Sequence, residues 1–264
     1  MNSPSHHSRR PTPWSWAVGG ASVGLLLALA AFAPARWLAW TLEQATSGRA
    51  LLLTPRGTVW NGSAQLALMG AAGSRDAATL PGRVSWTLRP HWSQLAITLE
   101  SSCCTVTPVS LQLQPRWGGV HATVQDGQSD WPASVLCGLG APWNTLQPQG
   151  SLSLSTHALQ VELVQGRLSL EGQVQLEASA ISSRLSTLSP MGSYRLTVQG
   201  GASTTLQLET IAGALQLTGS GRWVDSRLHF QGAASAASEQ QEALSNLLNI
   251  IGRRDGARSI IQVG

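Results

Sequence analysis

Apolar and polar residues alternate one for one along most of the chain beyond residue 50. The clearest runs are SLQLQ at 110–114, SLSLS at 151–155, LQVEL at 159–163, RLSLEGQVQLEA at 167–178, YRLTVQG at 194–200, TLQLET at 205–210, ALQLTG at 214–219 and RLHF at 227–230. A period of two sends successive side chains to opposite sides of a pleated strand, so each run predicts a strand with one dry and one wet face. Glycines punctuate the runs, at Gly150, Gly166, Gly192, Gly200, Gly201, Gly213 and Gly221. Strands recurring every ~8–12 residues with turn signals between them predict an all-β, antiparallel body: a sandwich, a partly open barrel or an open curved sheet.

The stretch RGTVWNGSAQLAL, residues 56–68, makes the most specific local prediction. Asn-Gly between alternating segments is the strongest short-range signal for a hairpin with a type I′ turn, because both turn positions need φ > 0. Placing Asn61 and Gly62 there sets Trp60 opposite Ser63, Val59 opposite Ala64 and Gly57 opposite Leu66. Val59, Ala64, Leu66 and Leu68 then line one face. Trp60 falls with Thr58 and Gln65 on the other face, where a tryptophan calls for a cover.

Four segments break the period of two. Trp14 to Phe32 is a mostly apolar stretch, and residues 11–35 carry no charge. It predicts a transmembrane helix over 14–33, since about 20 residues cross a hydrocarbon core of about 30 Å. Trp14, Trp16, Trp37 and Trp40 bracket the stretch like an interfacial belt. Arg9 and Arg10 favour a cytoplasmic tail at 1–13, with residues 36–264 on the far side. A cleaved signal peptide is the rival reading, with small residues in AFAPAR; the length of the apolar stretch and Pro34 directly after Ala33 argue for retention. Gly20 and Gly24 form a G-x-x-x-G pair through which two membrane helices approach closely. The same residues spell G-x-S-x-G, without the strand–turn–helix context that a nucleophile elbow needs.

The other three segments are shorter. Trp37, Leu38, Thr41, Leu42 and Ala45 recur at helical spacing, predicting a helix over 37–46 that lies on the membrane surface or on the first strands. Asp130 and Pro132 open a predicted helix over 131–139, inside a Pro-rich segment at 126–150 that divides the β region. Ser238 with Gln241 forms a capping box, and Leu244, Leu247, Leu248 and Ile251 form the apolar stripe of a helix over 239–251 that covers one end of the sheet.

Charge changes this picture little. All 17 basic residues are arginine, against 13 acidic ones, and the arginines are spread singly apart from the pairs Arg9-Arg10 and Arg253-Arg254. No basic run marks a nucleic-acid surface. No phosphate loop, dinucleotide fingerprint, metal-ligand spacing or placed carboxylate pair is present, so the sequence assigns no catalytic, metal or cofactor residues. The three cysteines are Cys103, Cys104 and Cys137. Strand neighbours point apart, which sets Cys103 and Cys104 against bonding each other; one of them, with Cys103 as the candidate, could pair with Cys137 in an oxidising compartment, and three reduced thiols are the equal alternative. Among the tryptophans, Trp60, Trp131 and Trp143 are the candidates for interaction or packing.

An apolar anchor, then PARWLAWTLEQATSGRALLLTPRGTVWNGSAQLAL, then WPASVLCGLGAPWNTLQPQG and a NLLNIIGRRDG ending together resemble the type II secretion system protein N family. The likeness runs over nearly the whole chain and is sharpest at 57–66 and 131–150. It implies an inner-membrane protein with its bulk in the periplasm, accessory to the export of folded proteins across the outer membrane. Its partners would be other inner-membrane or periplasmic subunits of that machinery and membrane lipid, without nucleic acid or cofactor. It also implies an AsmA-like curved sheet, whose apolar groove raises lipid binding or transfer as the alternative role. The resemblance supplies no site residues.

Overall fold

The computed structural model describes residues 14–70, 77–224 and 227–264; the expected tail at 1–13 lies outside them. Two helices open the chain, α1 (Trp14–Ala31) and α2 (Ala35–Ala45). Eight strands follow: β1 (Ala50–Gly57), β2 (Asn61–Met69), β3 (Ala77–Thr79), β4 (Val84–Pro90), β5 (Leu95–Ser101), β6 (Val109–Arg116), β7 (Gly119–Val124) and β8 (Gly127–Pro132). A 3-10 segment (Ala133–Leu139) and the single turn α3 (Trp143–Leu146) lead into β9 (Gln149–Val164) and β10 (Arg167–Ser182). Then come β11 (Gly192–Gln199), β12 (Thr205–Gly213), β13 (Leu215–Val224), β14 (Arg227–Ala236), α4 (Gln241–Ile251), β15 (Arg253–Asp255) and β16 (Arg258–Val263).

The strands form one antiparallel sheet in the order β1-β2-β4-β5-β6-β7-β9-β10-β11-β12-β13-β14-β16-β15, with β3 on β2 and β8 on β9. β1 and β15 are its two edges, so it is an open sheet and not a closed barrel. The alternating runs coincide with the strands. Those at 151–155 and 159–163 join into the single strand β9, which shifts register around Ala158. Ala158 has φ 46° there. Asp126 fills this irregularity, accepting the Ala158 amide at 2.6 Å and meeting His157 Nδ1 at 2.9 Å. β7 pairs with the last part of β9 and β8 with an earlier part, so the sheet runs on past the 126–150 segment.

The first hairpin forms four residues away from the expected register. Gly57 pairs with Gly62, Arg56 with Ser63 and Leu52 with Leu66. Asn61 and Gly62 belong to β2, and the tip is Thr58–Val59–Trp60, closed by the Thr58 amide on the Asn61 carbonyl at 2.8 Å. Gly62 is needed for room, not for a positive φ. A Cβ there would stand 2.5 Å from the Trp86 ring and 2.7 Å from the Arg56 carbonyl oxygen.

The helices differ from expectation in which residues they bury. α2 turns Ala35, Leu38, Ala39 and Leu42 inward, and leaves Trp37, Thr41 and Ala45 outside. It lies on the first strands: Ala35 packs with Ala64 and Trp86, flanked by Leu38, Leu52, Leu88 and Leu99. Alanine at the contact lets helix and sheet approach, which Trp37 would prevent. The helix expected over 131–139 begins as strand, because Trp131 and Pro132 pair with Leu152 and Ser151. Only 133–139 turns, as a 3-10 helix without a side-chain cap, and Asp130 stays in β8. α4 has the expected end and stripe, but it starts at Gln241 after a 3-10 turn at Ser238–Gln240, and neither start carries a side-chain capping bond. Among the described residues no helix is long and apolar enough to cross a membrane.

The two ends of the sheet differ. At one end β1–β2, β4–β5, β6–β7, β9–β10 and β11–β12 are joined by short turns at 58–60, 91–94, 117–118, 165–166 and 200–204. The opposite end carries the longer connections, including 102–108, the 3-10 segment with α3, and 183–191. The larger core gathers toward that opposite end, where α4 closes over β11, β13 and β14.

Candidate functional site

α4 is held against the sheet by its stripe. Leu244, Leu247 and Leu248 are almost wholly buried; burying each contributes about 1.5–3 kcal/mol. Two hydroxyls pin its carbonyls: Ser186 donates to Ala243 O at 3.1 Å, and the buried Ser259 donates to Leu248 O. α3 is fixed in the same manner, with Ser183 donating to Leu146 O.

Beneath these two helices the sheet does not fill. A chamber of about 700 Å3 remains, lined by Leu176, Tyr194, Leu208, Leu217 and Phe230 from the sheet and by Leu247 from α4. The volume falls within the ~300–1,000 Å3 range of small-molecule sites. The wall has no acidic residue; its polar members are Ser182, Ser183, Tyr194, Arg253 and Gln262. An apolar wall of this kind excludes charge and accepts hydrocarbon.

Tyr194 is the one buried hydroxyl in the wall without a partner. Its side chain is 7% exposed. It lies over Gly192, where a Cβ would stand 2.7 Å from the hydroxyl oxygen. Burial pushes its pKa far above the ordinary range for tyrosine, because desolvation penalises the phenolate. The next residue, Arg195, faces away and bridges Glu209 at 3.0 Å and Glu177 at 3.5 Å. The Glu209 hydrogen bond is the main reason its guanidinium pKa is raised.

The residues singled out from sequence scatter. Trp143 opens α3 and lines the chamber. Trp131 turns its Nε1 back to Ser129 Oγ at 2.8 Å on β8 and lines a separate small cavity. Trp60 lies at the opposite end of the sheet and donates Nε1 to Ala30 O at 2.7 Å. Gly20 and Gly24 lie in α1 with open space around them. The Cys103–Cys137 pairing is not formed: Cys103 bonds Cys104, and Cys137 is free. The alternation argument failed because residues 102–104 are a turn, where neighbouring side chains need not diverge. Tyr194 and Phe230 were legible as inward positions of alternating runs. Their gathering around a void was not, since a void is a property of the packed tertiary structure. Among the described residues no three His, Cys, Asp or Glu side chains converge as a metal site.

The family profile of type II secretion system (T2SS) protein N matches residues 51–261. The chain belongs to the type II secretion system protein N family. The match covers the sheet, the chamber and α4, and begins after α1 and α2. Membership of the protein N family makes the chain a type II secretion component. No curated protein and no solved structure matches it.

Proposed function

We propose that the protein is an accessory, non-enzymatic scaffold of the type II secretion machinery, tethered by α1 to the inner membrane with its sheet in the periplasm. The observation that carries the anchor is α1 itself. Its described side chains are exposed on every side and none is charged; a helix apolar all round belongs in an apolar surrounding. The described helix falls short of a full crossing by itself: at 1.5 Å per residue α1 is about 27 Å long, under a core of ~30 Å, and in this reading aromatic flanks and local thinning make up the difference. Trp14 and Trp16 stand at one end, and Phe32 and Trp37 at the other, all exposed. The Gly20–Gly24 face is open for a second membrane helix. In this role the sheet presents edges and turns to neighbouring secretion subunits at a fixed height above the bilayer.

The test is in cells. Photo-crosslinking residues in α1 and on β1 should capture inner-membrane or periplasmic secretion subunits, and deletion of the protein should lower release of a folded secreted substrate. A chain extracted from membranes by carbonate, or secretion unchanged by the deletion, overturns the reading.

The chamber favours a second reading, a membrane-anchored lipid-binding or lipid-transfer protein. A hydrocarbon chain fits an apolar space of this volume, and Arg253 in the wall suits an anionic head. Native mass spectrometry of the purified chain should then show bound fatty acid or phospholipid, lost on Ala178→Trp, which fills the chamber. An unliganded mass throughout rejects it.

A further inference from the structure

Strand register brings four hairpins side by side at the end of the sheet where α1 arrives. The Trp60 carbonyl accepts the Leu88 amide at 2.7 Å, joining the first tip to the β4–β5 hairpin. Leu95 pairs with Leu113, which sets the β6–β7 tip next. Gly119 pairs with Val164, and the Gln165 amide reaches Gly118 O at 3.1 Å, which adds the β9–β10 tip. Strands lie ~4.8 Å apart, so successive tips stand about 10 Å from one another.

Each of the last three tips carries an exposed apolar side chain with an arginine close by in sequence. Trp92 at the β4–β5 tip and Trp117 at the β6–β7 tip are fully exposed, and Leu168 beside the β9–β10 tip is 65% exposed. Arg89, Arg116 and Arg167 accompany them and are themselves exposed. Among the described residues none of these arginines forms a salt bridge, and Glu162 and Glu171 are set back along β9 and β10. Glu100, Glu239 and Glu242 lie toward the opposite end of the sheet. A fully exposed tryptophan gains nothing from the fold. Two on adjacent turns, interleaved with free guanidinium groups, match the interfacial zone of a bilayer, where indole sits at headgroup depth and arginine pairs with phosphate.

We infer that the tips bearing Trp92, Trp117 and Leu168, with Arg89, Arg116 and Arg167, rest on the anionic phospholipid surface of the membrane that holds α1. This rests on the anchor reading above. It goes further by standing the sheet on its strand ends, with the chamber and α4 directed away from the bilayer. The continuity is covalent and hydrogen-bonded: the Val59 amide donates to Ala33 O at 2.8 Å, at the junction where α1 ends and the first tip begins.

The test uses the full chain, with Cys137→Ser, reconstituted into vesicles of phosphatidylcholine with or without phosphatidylglycerol. An environment-sensitive fluorophore is attached at Ser93→Cys on the β4–β5 tip, or at Thr107→Cys at the other end of β5. The Ser93 label should shift to the blue in phosphatidylglycerol vesicles and the Thr107 label should stay in water. Arg89→Gln, Arg116→Gln and Arg167→Gln together should remove most of the shift. A Ser93 label as wet as the Thr107 label in floated vesicles overturns the inference. So does one that dries only when secretion subunits are added, since the rim is then a protein interface. Flotation separates the two possible failures: a chain that does not float removes the anchor, whereas a floating chain with a wet tip removes only the rim.

Discussion

Trp60 Nε1 donates a 2.7 Å hydrogen bond to the carbonyl of Ala30, in the last turn of α1. The last carbonyls of a helix have no partner inside it, and here a side chain from the first hairpin supplies one. With the Val59 amide on Ala33 O and the Pro34–Thr58 bridge, this makes the junction a clasp and not a flexible tether. The tryptophan on the polar face of the hairpin is thereby explained. Trp60→Phe keeps the ring and removes the donor. It should cost about 1 kcal/mol and speed exchange of the Val59 amide about fivefold, read by hydrogen–deuterium exchange, with the sheet amides unchanged.

Gly62 and Trp86 make the second prediction. The ring lies against the Gly62 backbone, and Trp86 Nε1 donates to Val59 O at 3.0 Å. Gly62→Ala forces either the ring or the β1–β2 pairing to move. Overpacking of this kind costs about 1–3 kcal/mol, which should appear as a lowered denaturation midpoint with an unchanged slope. Gly127→Ala is the control for lost glycine flexibility, since that strand glycine has no positive φ and an added Cβ would meet nothing nearer than 3.9 Å.

These cases mark how far the sequence could be read. Strict alternation located β6 and β9 through β14, because one wet and one dry face is a local property of each strand. The first hairpin was misread because Asn61-Gly62 is a turn signal by local propensity, while the packing of Trp86 and the clasp at Trp60 set the register from a distance. α2 was found, but its buried face was misjudged: hydrophobicity favours Trp37, and close approach to the sheet favours Ala35 and Ala39. The chamber left no local trace. Its residues span Leu136 to Val263, and only the closure of α3 and α4 over the sheet brings them together.

The hydroxyl of Tyr194 gives a prediction in pH. The buried, unpartnered phenol keeps its proton far above the ordinary tyrosine range. The unfolded chain releases it near pH 10. Between those points the folded state holds more protons than the unfolded state, so stability falls as pH rises above about 10. Tyr194 is the single tyrosine of the chain, so ultraviolet titration reports it alone. Phenolate should form only with unfolding. Tyr194→Phe should flatten this alkaline loss and, by removing an unsatisfied group, gain about 1 kcal/mol at neutral pH.

The cysteines predict a count. Alkylation of the denatured, unreduced chain should modify Cys137 alone, and reduction should expose Cys103 and Cys104 as well. A bond between neighbours closes almost no loop, so it removes little entropy from the unfolded chain. Cys103→Ser with Cys104→Ser should therefore leave the melting temperature nearly unchanged. Tryptic mass mapping under non-reducing conditions checks the pairing directly.

Leu247 tests whether α4 is a packed lid or a loose cover. It is 1% exposed, belongs to the larger core and also lines the chamber. If the lid is packed to native density, Leu247→Ala loses both its transfer energy and its contacts, for about 2–5 kcal/mol. Ile250 on the same helix is 42% exposed, so Ile250→Ala should cost well under half of that. The chamber adds a constraint that an ordinary core position lacks. Truncating Leu247 enlarges a space already open to ligand, so an added apolar compound should restore part of the lost stability in Leu247→Ala and little in Ile250→Ala. Equal losses in the two variants would mean that α4 lies on the sheet without packing into it, and the chamber would then be an open trough.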